Sequence, residues 1–99
     1  MRGGRYSERR VRALIETYPS LKEKVDTTRR GLEHLVEVAD LDRALALLPL
    51  KYFGPVFLVG LVGLPQDAAG RLLGVSQQAV SKRFQRGVEE ATYYMNGGD

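Results

Sequence analysis

The chain has 99 residues, with 15 Lys or Arg against 12 Asp or Glu, a net charge of +3 and no cysteine. That length allows one domain, or one domain with a short appendage. Its 43% hydrophobic residues can build a modest helical core, but not a large enclosed active-site cavity beside it. The lack of cysteine excludes disulfides, thiolate metal sites and cysteine nucleophiles together, and is compatible with a cytoplasmic protein.

Charge is unevenly spread. Residues 1–12 hold five arginines and one glutamate, residues 65–88 hold Arg71, Lys82, Arg83 and Arg86 against Asp67, and residues 16–47 hold five basic and seven acidic side chains. Basic ends around an acidic middle suit a nucleic-acid binder with a separate packing or partner surface. At residues 1–6 a tail that only aids solubility gives the same pattern. The basic start is followed by no apolar signal-peptide core, so a cytoplasmic chain is expected.

Residues 1–6, mostly arginine and glycine with nothing to bury, are expected to be disordered. Ser7 can cap a helix from Glu8 to about Thr17, with Val11, Leu14, Ile15 and Tyr18 on one face, and Pro19 is expected to stop it. Ser20-Leu21-Lys22-Glu23 has capping-box spacing, so a second helix is expected to start there. Thr27, Thr28 and Gly31 weaken its middle, and Leu32, Leu35, Val36 and Ala39 restart an apolar stripe. Asp40 is placed to cap a short helix over residues 41–48, ended by Pro49. An apolar helix follows over about residues 50–62, with Pro55 either bending it or marking its true start, and Gly63 ends it. The longest apolar run, residues 56–64, contains Gly60 and Gly63 and is far short of the ~20 residues a membrane span needs. No membrane partner is expected.

Residues 64–86 are the most informative stretch. Pro65 suits the start of a helix, and Asp67 puts negative charge near its positive end. Ala69, Leu72 and Leu73 form one apolar stripe, and Gly74 follows where a helix end favours φ > 0. Val75 can turn into the core. Ser76 can cap a second helix that buries Val80, Phe84 and Val88 and exposes Gln77, Gln78, Ser81, Lys82, Arg83, Gln85 and Arg86. Thr92, Tyr93, Tyr94 and Met95 continue that helix or pack back on the core. Two short helices around a glycine turn form a helix-turn-helix, whose second helix reaches base edges in the major groove. A polar helix face alone is an ordinary solvated face. Small Gly70, Gly74 in the turn and the absence of acids from the exposed face over residues 76–86 make the joint pattern more specific. The expected fold is therefore all-α, a small multi-helix domain of five or six helices. Residues 1–46 form an N-terminal helical segment for a partner or oligomerisation, and residues 47–95 a C-terminal helix-turn-helix.

Leu48-Pro49, Tyr52, Leu58, Gly63-Leu64, Leu72-Leu73-Gly74-Val75-Ser76, Val80 and Arg83 occur in the order of region 4 of bacterial RNA polymerase sigma factors. Residues 47–90 resemble that region, especially in the short extracytoplasmic-function type, and share its motifs with LuxR-type regulators and ArpU-like phage transcription regulators. Residues 1–46 do not resemble the promoter-melting part of a sigma factor. The resemblance implies a recognition helix that reads a promoter element such as the −35 box through Gln77, Gln78, Ser81, Lys82 and Gln85. Gln pairs bidentately with adenine and Lys with guanine. Arg71, Ser76, Arg83 and Arg86 are expected to hold phosphates, which position a protein without reading sequence.

The expected function is thus a sequence-specific regulator that binds double-stranded DNA, of phage or prophage type. A phage small terminase or other DNA-packaging subunit is one alternative. A protein that binds RNA polymerase or a sigma factor through residues 53–64, without touching DNA, is another. Leu32, Leu35, Val36, Tyr93 and Tyr94 could form a homodimer or higher-oligomer surface and serve equally well as core. No enzyme is expected. His34 is the single histidine, beside Glu33 and Glu37 in an amphipathic helix. Gly60 and Gly63 lack the Lys-Ser/Thr of a phosphate loop, and no metal or other cofactor site can be assembled.

Overall fold

The computed structural model describes residues 5–23 and 29–98, with side chains described at 5–18 and 35–98. Helix α1 spans Glu8–Glu23, α2 Arg29–Leu47, α3 Leu50–Pro55, α4 Gln66–Leu73 and α5 Gln77–Met95, and a π-helical segment, Val56–Leu61, continues α3. No strand occurs among the described residues.

Ser7 starts α1 as expected, its Oγ accepting from the Arg10 N–H at 3.1 Å. Val11, Leu14 and Ile15 are buried along the face read from their spacing. The chain departs from expectation just before and just after that turn. Tyr6 belongs to the core and not to a disordered tail. Its backbone N–H donates to Asn96 Oδ1, its carbonyl accepts from Asn96 Nδ2, each at 2.9 Å, and its hydroxyl donates to Asp40 Oδ2 at 2.7 Å. Nor does Pro19 stop α1, or residue 20 start another helix: the backbone stays helical to Glu23. Proline forfeits one bond to the carbonyl four residues back, whereas stopping and restarting would leave a new set of terminal donors to satisfy. Thr27 and Thr28 lie outside the described residues.

Asp40 likewise caps nothing, because α2 runs unbroken through it. Val38, Leu41, Ala44, Leu45 and Leu48 are the buried set here, and this stripe carries helix past Asp40. Leu35, Val36 and Ala39, expected in the stripe with Leu32, are exposed, and the Leu32 side chain lies outside the described residues.

The helix after Pro49 does begin at Leu50, so Pro55 lies inside it. Lacking an N–H, Pro55 breaks the regular ladder, and the next turn widens: the Val62 N–H donates to the Phe57 carbonyl five residues back, at 2.8 Å. Gly63, at φ 88°, ends the segment.

Helices α1, α2 and α5 and the helix through Pro55 share one core. Tyr6, Val11, Leu14 and Ile15 of the N-terminal part and Leu41, Ala44, Leu45 and Leu48 around α2 pack with Val56, Phe84, Val88, Ala91 and Met95. Residues 1–46 and 47–95 therefore meet across a common apolar interior. Gly87 lets α5 approach the helix through Pro55 closely, since a Cβ there would lie 2.5 Å from Val56 Cγ2.

Candidate nucleic-acid interface

The candidate surface is built by the α4–α5 pair. Gly74 takes φ 73° and ψ 29°, the left-handed conformation that reverses the chain after α4. Gly70 makes the reversal compact: its carbonyl accepts from the Val75 N–H at 2.9 Å, and a Cβ at Gly70 would lie 2.7 Å from the Val75 carbonyl oxygen. Ser76 is extended, and its Oγ accepts from the Ala79 N–H at 3.1 Å, the capping bond read from the sequence. Of the apolar stripe expected on α4, only Ala69 is fully buried. Leu72 is 69% exposed and Leu73 37%, because the short helix presses Ala69 and Gly70 inward while Leu73 leans over Gly54.

Helix α5 separates its faces as its periodicity requires. Val80, Phe84 and Val88 are buried, while Gln77, Gln78, Ser81, Lys82 and Arg86 are exposed and Arg83 is half-buried. Gln78, Ser81 and Lys82 lie together on the outward ridge of the first two turns. Arg71, in the last turn of α4, is exposed and pairs with Asp67 at 3.4 Å.

Gln85 is placed differently from its companions. It sits on the flank facing α1, accepts from Arg12 Nη2 at 2.7 Å and donates to Glu8 and Glu89 at 3.3 Å. Arg12 in turn lies over the Phe84 ring, 5.1 Å from its centroid. Gln85 thus ties α5 to α1.

The opposite flank of α5 faces α3, where Lys51, Tyr52, Lys82, Arg83 and Arg86 line a shallow, open depression of about 260 Å³. Lys51 is not expected at the site from the sequence, and Tyr52, one of the residues that carry the resemblance, is given no site role by it. A lone Lys-Tyr in an apolar helix carries little signal, and only the packing of α3 on α5 places it beside the α5 cations. Arg86 marks the boundary of this basic surface, pairing with Glu89 at 3.4 Å and Glu90 at 3.1 Å. The Tyr52 hydroxyl, and after it the Glu90 carboxylate, push its pKa above the ordinary arginine value, so it stays charged. No acidic residue occurs between Ser76 and Val88, and both acids of α5 follow immediately.

Among the described residues no group of three or more His, Cys, Asp or Glu is arranged to hold a metal ion, and no helix is long and apolar enough to cross a membrane. The side chains of Glu33 and His34 lie outside the described residues, and Glu37 pairs with Arg10 at 2.5 Å. Comparison with protein-family models, with curated proteins and with solved structures finds no match.

Proposed function

We propose that this chain is a small sequence-specific regulator that binds double-stranded DNA, of phage or prophage type, with α4 and α5 acting as a helix-turn-helix. One observation carries the reading: the first turns of α5 are capped by Ser76, exposed, basic and free of acids, while the opposite face is anchored in the core. A helix held this way can enter a major groove without rearranging the fold. Gln77, Gln78, Ser81 and Lys82 are the base-reading set, and Arg71, Ser76, Arg83 and Arg86 hold the backbone. Gln85 joins the base-reading set only if its bonds to Arg12 and Glu8 are given up.

The test is selection from a random double-stranded DNA library, followed by a salt titration on the enriched site. An enriched motif that survives moderate salt is the expected result. Binding confined to low salt, with no motif, would favour a packaging role.

A second reading rests on a different surface. Leu50 is 84% exposed, and Phe57, Val62, Leu72 and Leu73, in the segments from α3 to α4, are also exposed apolar side chains. Such residues suit a protein partner such as RNA polymerase or a sigma factor. Absence of any DNA binding, together with polymerase capture that Phe57→Ser abolishes in a folded protein, would replace the first reading with this one.

A further inference from the structure

We infer that the depression between α3 and α5 seats one backbone phosphate of the bound duplex, with Lys51 and the Tyr52 hydroxyl as contacts contributed from outside the α4–α5 pair. The inference rests on the DNA-binding reading above and names where one strand lies.

Four cations and a phenol line this concavity, and no carboxylate does. Like charges gathered in one hollow repel each other, and folded proteins usually intersperse acids among them. Lys51, Lys82 and Arg83 make no ion pair among the described residues, and Lys51 has only the Tyr52 ring, 5.1 Å from its Nζ to the centroid. Such a hollow concentrates positive potential toward an anion.

Position narrows the class of anion. The depression lies along one flank of α5, beside Lys82 and level with the turns that carry the base-reading ridge. A duplex that accepts this ridge in its major groove carries a sugar-phosphate strand along each side of the helix. The hollow is open and not enclosed, so a polymer can pass over it and lower one phosphate between Lys51 and Arg83. Glu89 and Glu90, one turn further along α5, repel the strand beyond that point and fix where contact ends.

The other flank offers no equal. There Arg12 is committed to Gln85 and the Phe84 ring, and Glu8 lines the hollow with Arg9 and Arg12.

The experiment measures salt-dependent affinity of the full chain for its selected site and for a scrambled duplex, in the wild type, Lys51→Ala, Tyr52→Phe and Arg43→Ala. Lys51 is exposed, and unchanged melting temperatures confirm that each variant folds. Lys51→Ala is expected to weaken both duplexes by the same factor, leave the selected motif intact and lower the salt slope by about 0.9. A fourfold rise in salt then costs the wild type about 3.5-fold more affinity than the variant. Tyr52→Phe is expected to weaken binding with the slope unchanged, since no charge is removed. Arg43→Ala, a distant cation bonded to the Tyr94 carbonyl at 3.2 Å, should alter neither. Wild-type site recognition with an unchanged slope in Lys51→Ala would overturn the phosphate seat and leave the DNA-binding reading standing. A changed motif in Lys51→Ala would make Lys51 a base reader and overturn it equally. Failure of the wild type to bind any duplex would remove both. Inorganic phosphate binding that Lys51→Ala abolishes, with duplex binding unaffected, would assign the hollow to a free anion and overturn the seat.

Discussion

The first and second halves of α5 belong to one unbroken helix and face opposite demands. From Gln77 to Arg86 the outward side chains are amides, a hydroxyl and cations, and the cations Lys82 and Arg83 are left without ion pairs among the described residues. From Glu89 onward the helix is tied down. Its acids hold Arg86, the Tyr94 carbonyl accepts from Arg43 of α2, and Asn96, just past its end, clasps the Tyr6 backbone in both directions. Unpaired outward charge is thus confined to the first half, while buried anchors run along the inner face of both. The buried inner face lets the outer one keep uncompensated charge, because repulsion at one end is small against burial of Val80, Phe84, Val88, Ala91 and Met95 along the helix.

The hardest blow to this division is Val80→Asp, which puts an unpaired charge at a position with no solvent exposure. Urea denaturation should show a loss of about 3–5 kcal/mol and the end of DNA binding. An unaffected midpoint would mean the first half is not anchored from beneath. Gly87→Val comes next, at the junction of the halves, where added atoms meet Val56 and Tyr52. A loss of about 1–3 kcal/mol is expected. Gln78→Ala should leave the melting temperature alone while costing about 1–3 kcal/mol of discrimination at one or two base pairs; an equal effect on stability would blur the division.

The second half has its own signature in pH. Burial, and then the hydrogen bond to Asp40, push the Tyr6 pKa from 10.0 to about 12. The proton is held more tightly in the folded state, so this stabilisation is complete below pH 10 and is lost as pH rises toward 12. Tyr6→Phe should cost about 1 kcal/mol at neutral pH and flatten the alkaline decline of stability. The late-titrating tyrosine should also vanish from the ultraviolet difference spectrum. Smallest of all, Gln85→Ala should change the selected DNA motif little, within about 0.5 kcal/mol, because its amide is already engaged by Arg12 and Glu8. A larger change would return Gln85 to the base-reading ridge.

The local grammar of the chain was legible where one residue type dominates the outcome. Ser7 and Ser76 cap, Gly63 and Gly74 reverse the backbone, and Val80, Phe84 and Val88 face inward at the spacing a helix imposes. Misreadings arose where local signals compete with packing at a distance. Asp40 has the chemistry of a cap, yet its carboxylate is used by Tyr6, which is 34 residues away in sequence. Pro19 has the chemistry of a stop, and continuation satisfies more backbone donors than a restart. Leu72 and Leu73 have the spacing of a core stripe, but α4 is too short to sink both. Of the candidate site, the α5 ridge could be read from spacing, whereas Lys51 and Tyr52 could not, since their place depends on how α3 crosses α5.

The widened turn after Pro55 governs that crossing. In an ordinary α-helix a step of four residues overshoots a full revolution by about 40°, so residues four apart spiral gradually off any line. A wider π turn undershoots instead, and the two errors offset each other. Tyr52, Val56 and Gly60, each four apart, consequently stay in phase along one edge, with Tyr52 and Val56 against Gly87 and Gly60 against Phe84 and Ile15. The extra residue thus acts as a phase correction, fixing the azimuth of everything before it, Lys51 included. Removing one residue from the π turn should leave both helices able to form but rotate Lys51 away from Lys82 and Arg83, so a length change, with no charge altered, would dismantle the basic hollow.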